Sequence, residues 1–152
     1  MTIAIATPTP RPLLKSELLS ARALVRDYPV GGEIVRAVRG IDLEVTAGEY
    51  VAIVGPSGCG KSTLLNLLGA IDRPTSGTVA IRALNVGAMT DAQATLFRLH
   101  NIGFVFQRFY LMPTLSAREN VELPMAEAGV RSAERASRAQ RNEVSNPRVR
   151  IS

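Results

Sequence analysis

The sequence predicts an α/β fold: an antiparallel β-subdomain first, then a core in which strands and helices alternate. Three observations predict it. Residues 21–45 break into short runs in which apolar and polar side chains alternate, the signature of half-buried strands. Tyr50-Val51-Ala52-Ile53-Val54 is a continuous apolar run, the pattern of a strand covered on both faces in a parallel sheet. That run passes directly into a glycine-rich loop and then into Lys61 to Leu68, a good helix sequence.

The elements follow in order. Residues 1–20 read as a flexible leader interrupted by Pro8, Pro10 and Pro12, with a short helix near Leu13–Leu19. Ala23 to Arg26 is a strand; Glu33 to Val38 is a second, after the turn signal Gly31-Gly32; Ile41 to Val45 is a third. Ala47-Gly48-Glu49 turns the chain into the apolar run. After the helix, Pro74 to Gly77 is a turn and Thr78 to Arg82 a strand. Thr90 to Leu99 is a helix capped by Thr90 or Asp91, and Ile102 to Phe106 a second apolar strand. Ser116 and Glu119 have capping-box spacing and start another helix, which Pro124 interrupts or restarts. Residues 131–142 are compatible with a helix but have no strong apolar face, and Asn142 to Ile151 reads as unstructured.

Composition narrows the classes. The chain has 152 residues, 46% of them hydrophobic, enough for one domain or a large part of one. The net charge is +5, and residues 131–152, with six arginines and two glutamates, supply +4 of it. Such an end is read as a solvated, disordered basic tail; contact with nucleic acid or an anionic membrane is the sharper alternative. The one cysteine, Cys59, excludes an internal disulfide. No apolar run approaches the ~20 residues that span a bilayer, and the N-terminus lacks the form of a signal peptide. A cytoplasmic protein is expected.

Gly55-Pro56-Ser57-Gly58-Cys59-Gly60-Lys61-Ser62 matches G-x-x-x-x-G-K-[ST], the phosphate-binding P-loop. Each fixed position has a task. Gly55 and Gly60 permit a tight backbone wrap. The amides of Gly58, Cys59 and Gly60 can then face phosphate oxygens, and the helix that follows adds its positive dipole end. Lys61 offers a point charge to the terminal phosphates, Ser62 a hydroxyl to Mg2+, and Thr63 a bond to another phosphate. A chance match in a chain of this length is on the order of one in a hundred, and here the strand before and the helix after supply the required context. The fold class is therefore a P-loop NTPase core behind an N-terminal antiparallel β-subdomain. The loop alone admits kinases, GTPases and many motors.

Further residues resemble one family. Ile102-Gly103-Phe104-Val105-Phe106-Gln107 is similar to the Q-loop of ABC-transporter ATPases, as are Ile41 to Glu49 before the apolar run and Asp72 to Gly77 after the first helix. Phe106 to Leu115 and Glu119 to Pro124 resemble the subgroup serving lipoprotein release and macrolide-type export. The resemblance covers roughly residues 21–140. It implies ATP with Mg2+ as ligand, Pro56 and Ser57 within the nucleotide-binding loop, Tyr28 stacking on adenine, and Gln107 positioning Mg2+ and the attacking water. It also implies a transmembrane partner subunit, a second ATP-binding subunit, and a peripheral place on the inner face of the cell membrane. No specific nucleic-acid partner is implied. His100 precedes Gln107, so it is not the family's switch histidine.

The same resemblance makes an absence informative. No Leu-Ser-Gly-Gly-Gln signature, no apolar strand ending in Asp-Glu and no later histidine follows Gln107. The chain therefore reads as a fold incomplete at the C-terminus, with residues 21–130 a partial ATP-binding domain between the leader 1–20 and the tail 131–152. Hydrolysis is expected to be impaired, which leaves a non-hydrolysing regulatory module or an inactive fragment as the alternative role.

Overall fold

The computed structural model describes residues 4–6, 17–108 and 110–144. They fall into two compact units, residues 1–95 and 96–152.

The first unit is built on two long antiparallel strands, β2 (Glu17–Val30) and β3 (Glu33–Thr46). The Gly31-Gly32 turn joins them, with both glycines at positive φ. β5 (Ser76–Ile81) adds to the other side of β2, and β6 (Leu84–Asn85) to β5, giving the order β3-β2-β5-β6. This is the expected antiparallel β-subdomain. The separate strands expected at 33–38 and 41–45 are one continuous strand, because Gly40, at φ 71, turns locally without ending the pairing. Glu17 to Leu19, expected to be helical, open β2 instead; the rest of that predicted helix lies outside the described residues.

β2 is bulged between Ala21 and Leu24. Ala23 there sits at φ 45 and its amide donates to Asp42 Oδ1 at 2.9 Å. Gly77 passes directly over this bulge: a Cβ on it would lie 2.3 Å from the Ala23 carbonyl oxygen. Gly77 is also at φ 82, which L side chains rarely adopt. The core of the unit is apolar, with Ala21, Leu24, Val38 and Val79 of the sheet at 0 or 1% exposure. α1 (Lys61–Leu68) buries Leu64 and Leu67 and packs on β3.

β4 (Ala52–Val54) departs from expectation. It is short, Val54 is 47% exposed, and its partner is β1 (Ala4–Ala6), antiparallel, with Ile5 opposite Ile53. Burial on both faces needs layers on both sides, and among the described residues no strand lies parallel to β4. The leader is thus paired at residues 4–6 rather than wholly flexible. A two-residue turn joins β5 to β6, with Arg82 and Ala83 both left-handed at φ 49 and 65. A turn of 3-10 helix at Val86–Ala88 leads towards α2 (Asp91–Asn101).

In the second unit the apolar run Ile102 to Phe106 forms no strand. Val105 is fully exposed; Phe104 stacks on Phe106 at 5.6 Å, and Tyr110 meets Phe106 edge-on at 5.1 Å. An extended run becomes a strand only where a neighbour takes its backbone bonds, and no described strand does so.

α3 (Ala117–Glu127) starts at the predicted capping box: Glu119 N–H donates to Ser116 Oγ, and Ser116 N–H to the Glu119 carboxylate. The Ser116 hydroxyl also donates to the Glu119 carboxylate at 2.7 Å, and that bond first, then the one from Ser116 N–H, holds the exposed Glu119 carboxyl below its ordinary range. Pro124 does not break the helix. It removes one backbone bond, but the helix is held at its start by the box and packs on α4 (Ser132–Val144). α4 covers the stretch that the sequence left compatible with a helix, while residues 145–152 of the tail read as disordered lie outside the described residues. Arg138 pairs with Glu134 one turn before it, Arg135 approaches Glu122 of α3 at 3.8 Å, and Ala139 is buried. Charges that read as solvated in sequence are partly neutralised by these pairs. Among the described residues no helix is long and apolar enough to cross a membrane.

Candidate functional site

The glycine-rich loop joins β4 to α1. Its chain enters through a turn in which Thr46 donates to the Glu49 carboxylate from both N–H (2.8 Å) and Oγ1 (3.0 Å). Gly60 is the residue before the helix, left-handed at φ 93, and no side chain caps it. Its carbonyl accepts the first helical bond from Leu64 N–H at 2.8 Å. The amides of the first turn therefore have no intrahelical acceptor. Among the described residues the amides of Gly58 and Gly60 have no hydrogen-bond partner, whereas Cys59 N–H closes a turn onto the Pro56 carbonyl at 3.4 Å. Of the three amides assigned to phosphate, Cys59 is thus partly occupied within the loop.

Lys61 curls back over the loop. Its Nζ donates to the carbonyls of Gly55 (2.8 Å) and Pro56 (2.7 Å) and lies 3.7 Å from Cys59 Sγ. Both oxygen acceptors are neutral carbonyls, which bind an ammonium less strongly than an anionic oxygen does. Cys59 itself is buried.

An open cavity of about 760 Å³ lies over the loop. One wall is the loop and helix start, Ser57 to Thr63; the other is β3, with Ile34, Val35, Arg36, Ala37, Arg39 and Ile41. Among the described residues the lining includes three cationic residues (Arg36, Arg39 and Lys61), three with hydroxyls (Ser57, Ser62 and Thr63) and none with a carboxylate. Such a surface suits a polyanion. A hard cation such as Mg2+ would find only neutral hydroxyls among these lining residues, so phosphate oxygens would have to complete its shell. No cluster of His, Cys, Asp or Glu suited to a metal occurs among the described residues.

Of the loop residues, Ser57 to Thr63 line this cavity; Gly55 and Pro56 do not, and are tied to the loop by the Lys61 ammonium. Tyr28 is not among the lining residues. Its cross-strand partner, Val35, is. The Tyr28 hydroxyl donates to Asp72 Oδ2 at 2.6 Å, and Arg26 lies over the ring at 4.4 Å from its centre. Arg26 also grips Asp72, Nε to Oδ2 at 3.0 Å and Nη2 to Oδ1 at 2.8 Å. Burial pushes the Asp72 carboxyl up, but the bonds from Tyr28 and the Arg73 N–H and the charge of Arg26 outweigh it and leave it below its ordinary range. Gln107 belongs to the second unit, where it is exposed at a bend. Sequence reasoning missed Arg36 and Arg39. The available signal was two arginines in an otherwise apolar strand segment, Ile34 to Val38 and beyond.

Comparison with known proteins adds to this geometry. Residues 38–151 match the family model described as ABC transporter. That match runs past Gln140, where the resemblance read from the sequence fades. An uncharacterized ABC transporter ATP-binding protein of Bacillus subtilis, YknY, is 46% identical over 116 residues, 76% of this chain and 50% of that protein. The macrolide export ATP-binding/permease protein MacB of Acinetobacter baylyi is 45% identical over 127 residues, 84% of this chain and 19% of that protein. Among solved structures, the ATP-binding cassette MJ0796, a dimer in a post-hydrolysis state bound to ADP and Pi, superposes with a TM-score of 0.74 at 38% identity, covering 82% of this chain and 55% of that one. The chain spans about half the length of the first two relatives of cassette size that it matches.

Proposed function

The chain belongs to the ABC transporter family, and from that membership we propose that it binds ATP with Mg2+ as the nucleotide-binding component of an export-type transporter. The observation that carries this reading is the cavity over the loop, which among the described residues has three cations, amides at Gly58 and Gly60 without a partner, and no carboxylate. Lys61 would leave the Gly55 and Pro56 carbonyls for the terminal phosphates. Ser62 would share Mg2+ with phosphate oxygens, and Thr63 would bond a further phosphate. Tyr28 lies next to the cavity through its cross-strand partner Val35 and would stack on the base. Mg2+, when bound, neutralises charge that builds up on the phosphates. A transmembrane subunit and a second ATP-binding subunit are the proposed partners. MacB, an ATP-binding/permease protein, and the MJ0796 dimer support both. Attachment through that partner would place the chain at the inner face of the membrane.

Turnover is a separate matter. Assembling a polarised water and a metal around the γ-phosphate needs carboxylates positioned beside it. The 152 residues contain no Asp-Glu pair, and the cavity lining contains no carboxylate. We propose that Gln107 orients water but does not by itself drive hydrolysis, so this chain alone holds ATP without turning it over. Phosphate release by the purified chain, with Lys61→Ala as the contamination control, checks this. The expected rate equals that of the control; clear release that Lys61→Ala abolishes would show that another residue of the chain polarises the water.

A further inference from the structure

The wall opposite the loop is the less expected half of the cavity. We propose that Arg36 and Arg39 of β3 bind the phosphate chain of the nucleotide from the strand side, and so set how strongly the cleft prefers polyphosphates to uncharged nucleosides. This rests on the nucleotide reading above and assigns residues that the loop motif does not contain.

Pairing separates these two arginines from the neighbouring ones. On β2, Arg22 meets Glu44 and Arg26 meets Asp72; Arg73 meets Asp91. Arg36 and Arg39 have no carboxylate partner among the described residues, and both are exposed. Their one bond of note is from Arg39 Nε to the Arg36 carbonyl oxygen at 3.2 Å, which uses one of five donors and leaves the rest of the fork open. With Lys61 they give the cavity three positive charges and, among the described residues, no negative one. Like charges around one concavity repel, and a polyanion relieves that repulsion while gaining the attraction itself. A guanidinium also matches phosphate oxygens in pairs, which an ammonium does not. Lys61 and the loop amides hold one side of the phosphate chain. Arg36 and Arg39 take the other, beside Ile34 and Val35, whose exposed apolar side chains (65% and 50%) leave the uncharged part of a nucleotide a surface free of charge.

The test titrates ATP, inorganic tripolyphosphate and adenosine into the full chain. The variants are Arg36→Gln/Arg39→Gln, Arg36→Lys/Arg39→Lys and Lys61→Ala, each checked by circular dichroism. At low salt the glutamine pair should weaken ATP and tripolyphosphate about five- to tenfold, the sum of two exposed charge contacts, and the deficit should shrink to under about twofold near 0.5 M salt. Adenosine binding should not change. The lysine pair keeps charge but loses the fork, so it should fall between wild type and the glutamine pair. The lysine pair also carries the test if the glutamine pair fails to fold. Wild-type affinity for ATP in the glutamine pair at low salt overturns the proposal, as does an equal loss for adenosine or a loss that salt leaves intact. If Lys61→Ala alone weakens ATP, the loop reading stands and this one falls. If wild type binds neither ATP nor tripolyphosphate, the nucleotide reading falls with it.

Discussion

Lys61 ties its own loop together through the Gly55 and Pro56 carbonyls, and Asp72 does the same for Tyr28 and Arg26. The Asp72 carboxylate ties together the Tyr28 hydroxyl and the Arg26 guanidinium. Because its folded pKa lies below the unfolded value of 3.8, the carboxylate form contributes stability that is fully present above that value. The contribution is lost as pH falls below about 4 and through the folded pKa. Acid unfolding followed by circular dichroism should therefore show wild type losing stability over that window. Asp72→Asn should show a flatter decline there and cost about 1–2 kcal/mol at neutral pH; parallel acid curves for the two proteins would dismiss the tie. Gly77 gives a sharper case. An alanine there would place Cβ 2.3 Å from the Ala23 carbonyl oxygen at φ 82, so Gly77→Ala should destabilise by about 2–4 kcal/mol. A denaturant midpoint equal to wild type would show that the bulge yields freely. The loop residues were legible singly, because each motif position has one chemical task. The occupation of Cys59 N–H and the tie of Tyr28 to Asp72 were not, because both depend on partners brought together by the fold.

At the scale of elements, local signals and tertiary context part company. α1 begins and ends where the sequence places it, since Gly60 and Gly69 bracket a run of good helix formers. The capping box of α3 likewise formed as read. The apolar runs 50–54 and 102–106 look alike in sequence, yet β4 is half exposed and residues 102–106 form no strand. Apolar character states what a segment can bury, while a strand also needs a neighbour for its amides. The β5–β6 hairpin carries strain that can be relieved. Arg82 and Ala83 both occupy the left-handed region that a two-residue hairpin turn of this kind demands. Ala83→Gly removes the Cβ penalty there, so thermal unfolding should shift upward by the equivalent of about 0.5–1 kcal/mol. A lowered midpoint would mean that the alanine makes a contact worth more than the strain.

For the whole molecule, the antiparallel subdomain and the loop-bearing helix form one unit whose purpose is a cavity. β3 supplies one wall and the loop the other, and burial of Leu64 and Leu67 at α1 keeps the loop against that strand. The architecture was legible from alternation and from the loop motif. The second cationic wall was not, because the sequence separates Arg36 from Lys61 and nothing local announces that they face one space. The measurement that tests the central claim most directly is calorimetric titration of ATP with Mg2+ into wild type, Lys61→Ala and Tyr28→Ala at one salt concentration. On the proposed reading Lys61 would meet concentrated phosphate charge, whereas Tyr28 would contribute one stacking face worth about 1–3 kcal/mol at best. ATP should bind wild type and lose at least about tenfold in affinity with Lys61→Ala, a charge-assisted contact, with a smaller loss for Tyr28→Ala. Equal affinity of wild type and Lys61→Ala would contradict the account.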